Sequence, residues 1–88
     1  MKKLEIILEN ETGLHARPAS ILVEIAKDFD SDIKIKLNDQ TYVAKSMMSI
    51  LSMGASKGSE LTFVIEGTDE KEACEALKEL FNSHFKEK

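Results

Sequence analysis

A single cysteine, Cys74, excludes an internal disulfide and any multi-cysteine metal site, and it fits a reducing compartment. No apolar run comes near the roughly 20 residues needed to span a bilayer. The start, Met1-Lys2-Lys3, is basic, but Glu5 and Glu9 interrupt the apolar residues after it. No secretory core forms, and the chain reads as cytoplasmic without membrane insertion. Twelve basic residues stand against sixteen acidic ones, a net charge of -4, which argues against a nucleic-acid binder held by phosphate contacts. One proline and four glycines, with 42% hydrophobic and 32% charged residues, exclude a collagen-like or wholly disordered chain. Within 88 residues these proportions predict one small domain, residues 1–88, with a thin stability margin.

Several catalytic signatures are missing as well. Gly54-Ala55-Ser56-Lys57-Gly58 has glycines and a lysine but not the spacing of a phosphate-binding loop. There is no G-x-S-x-G elbow and no H-E-x-x-H zinc motif. Asn10-Glu11-Thr12 matches a glycosylation acceptor, which without a secretory signal is read as coincidence.

The chain does have periodicity, and it changes along the sequence. Leu4, Ile6 and Leu8 alternate with other residues, predicting a strand over about residues 2–8. Ala19, Leu22, Val23 and Ala26 recur at helical spacing from Ala16 onward, with Pro18 near the helix start. Ile33, Ile35 and Leu37 alternate with lysines as a second strand. Asn38-Asp39-Gln40 reads as a hairpin turn and Thr41 to Ala44 as a return strand. Ser46 to Met53 predicts a short helix ending at Gly54, and Leu61, Phe63 and Ile65 a fourth strand. Asp69 with Glu72 resembles a capping box before a last helix whose apolar stripe is Ala73, Leu77, Leu80, Phe81 and Phe85. The order β-α-β-β-α-β-α predicts an α+β fold with an antiparallel sheet, wet on one face and covered by helices on the other.

The chemistry concentrates in Gly13-Leu14-His15-Ala16-Arg17-Pro18-Ala19. The only arginine and the only proline lie within three residues of one of two histidines. His15 falls at or just before the first turn of a helix, where unpaired N–H groups and the helix dipole favour an anion. Arg17 adds a permanent cation with a planar fork suited to phosphate. A neutral imidazole beside such a cradle can accept a phosphoryl group, because its oxygens land on donors already in place. From these residues alone, an exposed histidine beside a solvated arginine stands as an equal reading.

The stretch from Thr12 to Ala19 resembles the active-site signature of the HPr family, histidine-containing phosphocarriers of the bacterial phosphoenolpyruvate:sugar phosphotransferase system. Lys45-Ser46-Met47-Met48 through Ser52-Met53-Gly54 is similar to the regulatory-serine segment of the family's Gram-positive-type branch. The likeness runs the whole length. It implies an open-faced β-sandwich, with a four-stranded antiparallel sheet covered on one face by three helices. It implies that His15 takes a phosphoryl group on Nδ1 from phosphorylated Enzyme I and passes it to the IIA domains of sugar permeases. Ala16 and Arg17 would bind the phosphate, and Ser46 would be the target of an HPr kinase/phosphorylase. The seryl-phosphorylated form would serve a catabolite-control transcription factor as corepressor. The chain would be a stoichiometric carrier, not an enzyme acting alone, and a monomer; no metal or organic cofactor is implied. A regulator-only relative that signals through Ser46 without feeding sugar uptake is the competing reading.

Ser46 also has a plain role as the N-cap of its short helix. That helix is apolar nearly all round. Ile50, with Met47 in part, is expected to face the core, leaving Met48 and Leu51 as an exposed patch that marks a partner site. Ser20 and Ile21 on the first helix extend the patch, with Lys27 and Lys45 as a basic rim. Two departures from the family pattern stand out: Ser49, where glycine is usual, and Glu24, where a neutral or basic residue is commoner. Glu24 lies at the edge of the docking face. His84 and Cys74 read as structural, and the acidic run from Glu66 to Glu75 as a solvated face.

Overall fold

The structure, a computed structural model, describes residues 1–9, 11, 13–83 and 85. The predicted alternation produces four strands. β1 spans Lys2–Ile7, β2 Asp32–Leu37, β3 Gln40–Val43 and β4 Glu60–Glu66. They form one sheet in the order β1-β4-β2-β3, every neighbour antiparallel. The register aligns the apolar residues in rows, Leu4 beside Phe63 beside Ile35 beside Tyr42, and Ile33 beside Ile65. Because the side-chain period is two, those rows fill one face, while Lys34, Lys36 and Lys3 lie on the wet face.

The β2–β3 hairpin closes without Asn-Gly. Asn38 and Asp39 both take left-handed backbone angles (φ 53° and 68°), the demand of a two-residue turn that matches strand twist. Asn and Asp tolerate that region better than other residues with a side chain.

Three helices cover the apolar face: α1 over Ala16–Lys27, α2 over Met47–Met53 and α3 over Glu70–Asn82. α1 buries Pro18, Ala19, Leu22, Val23 and Ala26, and it lies between α2 and α3. α3 buries Ala73, Leu77 and Leu80 against β1 and β4. Burying such residues is the main favourable term, at about 25 cal/mol per Å² of apolar surface removed from water.

Two details of α3 differ from the pattern read in the sequence. Phe85 is buried but does not continue the helical stripe. The helix stops at Asn82, and Phe85, at φ 64°, donates its N–H to the Leu80 carbonyl and folds its ring back onto Phe81, 4.9 Å between centroids. Asp69 sits at the N-cap but its carboxylate does not cap the helix. It reaches instead to the α1–β2 connection, accepting from the Asp30 N–H (2.8 Å), the Ser31 N–H (3.0 Å) and the Ser31 hydroxyl. Ser31 is fully buried, so its polar atoms need that partner more than the solvent-facing helix end does. The two segments touch so closely that a side chain at Gly67 would collide with Ser31. Glu70 takes over at the helix start, accepting from the Gly67 N–H at 3.1 Å and pairing with the Met1 ammonium at 2.8 Å. The Ser31 hydroxyl, with the Asp30 N–H second, holds the Asp69 carboxyl below its ordinary value; the Met1 ammonium and then the Gly67 N–H do the same for Glu70. His84 and the glycosylation-like pair Asn10 and Thr12 lie outside the described residues.

Candidate functional site

His15 is the N-cap of α1, with extended backbone angles (φ -87°, ψ -166°), and its side chain makes no capping bond. The ring is exposed. Its carbonyl accepts the first helical bond, from the Ala19 N–H at 2.9 Å. Pro18 stands third in the helix and has no N–H to offer. The first-turn donors are therefore the N–H groups of Ala16 and Arg17, neither of which bonds an acceptor among the described residues. The first turn holds no acidic residue and the last turn holds Lys27, so nothing in the first turn neutralises the positive end at His15. Arg17 is exposed and makes no ion pair among the described residues. The histidine, both donors and the guanidinium predicted from sequence thus meet at one exposed helix terminus.

The approach to His15 is held by a neighbouring loop. Leu14 is buried and donates its N–H to the Ala55 carbonyl at 3.1 Å. Gly13, at φ 69°, lies so close that a side chain there would strike the Ala55 carbonyl and the Ser56 backbone. Leu8 exchanges backbone bonds with Ser59 (2.9 Å) and Gly58 (2.8 Å), and Lys57 pairs with Glu11 at 2.9 Å across the same gap. That the partner of Gly13 is Ala55–Ser56, 42 residues away, is set only by the fold.

Ser46 is the N-cap of α2. Its Oγ accepts from the Ser49 N–H at 3.2 Å, and its carbonyl accepts from Ile50. The capping role is therefore present, and the residue is half-buried. α2 buries Ile50 and Met53, keeps Met47 half-buried, and leaves Met48 (82% exposed) and Leu51 (44%) facing solvent. Ser20, Glu24 and Lys27 are exposed along α1, and Ile21 is half-buried with its inner side against the core.

Lys45 differs from the expected rim. Its Nζ donates to the Phe29 carbonyl at 2.6 Å in a half-buried position. Carbonyls beyond a helix C-terminus lack backbone donors, and an ammonium there also complements the helix dipole. Lys27 alone of the two remains an exposed cation. Ser49 has a role that sequence reading missed: its hydroxyl accepts from the Val43 N–H at 2.8 Å, tying α2 to the end of the edge strand β3. Nothing local in the sequence marks that bond, because it joins two different elements.

Comparison with known proteins places these features. A family profile described as PTS-HPr, PTS HPr component phosphorylation site, matches residues 2–83. HPr-C-His from Thermoanaerobacter tengcongensis is 43% identical, with a TM-score of 0.94 over 100% of this chain and 99% of that one. Phosphocarrier protein HPr from Bacillus anthracis is 39% identical (TM-score 0.81, 86% of this chain, 90% of that one). The Bacillus subtilis catabolite repression protein Crh, solved as a swapped dimer, is 33% identical (TM-score 0.74, 100% of each chain). The open sheet under three helices, and the histidine heading α1, are therefore those of a chain that belongs to the HPr family of phosphotransferase-system phosphocarriers.

Proposed function

We propose that this chain relays a phosphoryl group from phosphorylated Enzyme I to the IIA domains of sugar permeases through His15. The observation that carries the reading is the exposed imidazole at an N-cap whose first-turn donors, Ala16 and Arg17, have no acceptor among the described residues. A lone pair on Nδ1 attacks phosphorus as the donor's bond to phosphorus breaks, so the group moves without loss to water. The Ala16 and Arg17 N–H groups and the Arg17 guanidinium meet the phosphoryl oxygens, a charge-assisted arrangement worth more than neutral hydrogen bonds. The carrier is consumed and regenerated one phosphate at a time, and it works in the cytoplasm as a monomer. Transfer in both directions demands weak, fast docking, which the exposed Met48 and Leu51, with Ser20, Ile21 and Lys27 on α1, suit well.

Ser46 is the second site in this reading. Phosphorylation there by an HPr kinase/phosphorylase would add about two negative charges beside Met47 and Met48. That favours a catabolite-control transcription factor as partner and disfavours an acidic Enzyme I. The support is the segment's likeness to the Gram-positive-type pattern and the relative named for catabolite repression.

Incubation with Enzyme I and labelled phosphoenolpyruvate tests the relay. One acid-labile phosphate per chain is expected, lost in His15→Ala. Full labelling of that variant would remove His15 from its role.

A further inference from the structure

Ser49 stands between Ser46 and the edge of the sheet. Its N–H donates to the Ser46 Oγ at 3.2 Å, and its own Oγ accepts from the Val43 N–H at 2.8 Å. Among the first-turn residues Met47, Met48 and Ser49, only Ser49 has a side chain that can donate a hydrogen bond. A hydroxyl offers one proton and two lone pairs, and the Ser49 proton goes to no acceptor among the described residues. The neighbouring cation, the Lys45 ammonium, is held on the Phe29 carbonyl at 2.6 Å. α2 itself carries no charged residue.

Resting on the Ser46 reading above, we propose that Ser49 is a ligand of the Ser46 phosphate and ties it to β3: the Val43 N–H donates to the Ser49 hydroxyl, and that hydroxyl donates to a phosphoryl oxygen. Phosphorylation moves the γ-phosphoryl group of ATP onto the Ser46 Oγ, which gives up its proton as ADP leaves. The new group carries about two negative charges and offers strong acceptor oxygens. Its bond to Ser46 fixes it beside α2, so the Ser49 hydroxyl has only to set where it points. A hydroxyl that donates to an ionised acceptor is polarised, and its oxygen then draws more strongly on the Val43 N–H. Glycine at position 49 would supply neither half of this chain of bonds. The edge strand β3 therefore registers the modification of Ser46 through one side chain.

The test uses the full chain with phosphoserine encoded at position 46, as wild type, Ser49→Ala and Ser49→Thr, each beside its unphosphorylated form. Circular dichroism establishes that all fold alike, and nuclear magnetic resonance reads amide hydrogen exchange at Val43. Phosphorylation is expected to slow that exchange about threefold in wild type and in Ser49→Thr, which keeps the hydroxyl, and to leave it unchanged in Ser49→Ala. Unchanged exchange in wild type overturns the proposal. Faster exchange overturns it too, because the phosphate then pulls Ser49 away from Val43. Equal slowing in Ser49→Ala shows that the hydroxyl is not needed and overturns it as well. A parallel incubation of the unmodified protein with an HPr kinase/phosphorylase and ATP addresses the regulatory reading separately. No phosphate on Ser46 there overturns that reading, while the encoded phosphoserine still decides the role of Ser49.

Discussion

Gly13 lies flat against the backbone of Ala55, and Leu14 next to it donates its N–H to the Ala55 carbonyl at 3.1 Å. This contact sets where His15 begins α1, because Leu14 directly precedes it. Gly13→Ala puts a methyl group into the Ala55 carbonyl and forces a left-handed angle on a residue that resists it. A destabilisation of about 1–3 kcal/mol is expected by urea denaturation, together with slower phosphoryl transfer to His15. Wild-type stability in this variant would show that the loop yields freely and does not clamp the helix start.

Arg17 is exposed and unpaired among the described residues, so the folded domain does not depend on it. Arg17→Ala should leave the thermal midpoint within about a degree or two. It removes charge-assisted bonds that form only with phosphate, and a rate loss of about 10- to 100-fold is expected. Rapid-quench transfer assays with Enzyme I read the rate; an unaltered rate contradicts the cradle.

The Asp69 carboxyl sits below its ordinary value of 3.8 because Ser31 and Asp30 donate to its ionised form. A lowered folded value means that the unfolded chain binds protons more readily. The associated stability is present above pH 3.8 and is lost as pH falls through that value toward the folded one. Glu70, lowered from 4.5, adds loss in the same direction. Urea midpoints measured at falling pH should drop in wild type and drop less steeply in Asp69→Asn. Parallel curves for the two proteins would assign the acid sensitivity to other groups.

Ser49 joins α2 to β3 through the Val43 N–H, a bond that glycine at this position would not make. Ser49→Gly loses it and loosens the helix backbone. A cost of about 1–2 kcal/mol is expected, with His15 phosphorylation unchanged. A stability gain would mean that the hydroxyl is a burden on α2 and not a tie.

The legible parts of this protein were those with a short-range signature. β2 alternates without interruption, and all four apolar residues of the α1 stripe, Ala19, Leu22, Val23 and Ala26, are buried. The exposure of Met48 and Leu51 was readable because a seven-residue helix lying on a sheet cannot bury every side. Asp69, Lys45 and Ser49 are only partly legible in the sequence, for one common reason. Each has a side chain that could serve its own helix end or turn, and each bonds instead to a segment brought near by the fold: Ser31, the Phe29 carbonyl and the Val43 N–H. Phe85 leaves the stripe because the helix stops at Asn82 and Phe85 itself takes a left-handed backbone angle, a choice that apolar spacing does not encode.

Nuclear magnetic resonance of the phosphorylated protein tests the central claim most directly. Phosphorus coupling should identify Nδ1 of His15 as the bonded atom, and the largest amide shifts on phosphorylation should fall on Ala16 and Arg17. Phosphate on another residue, or amides at Ala16 and Arg17 that do not respond, would contradict the account.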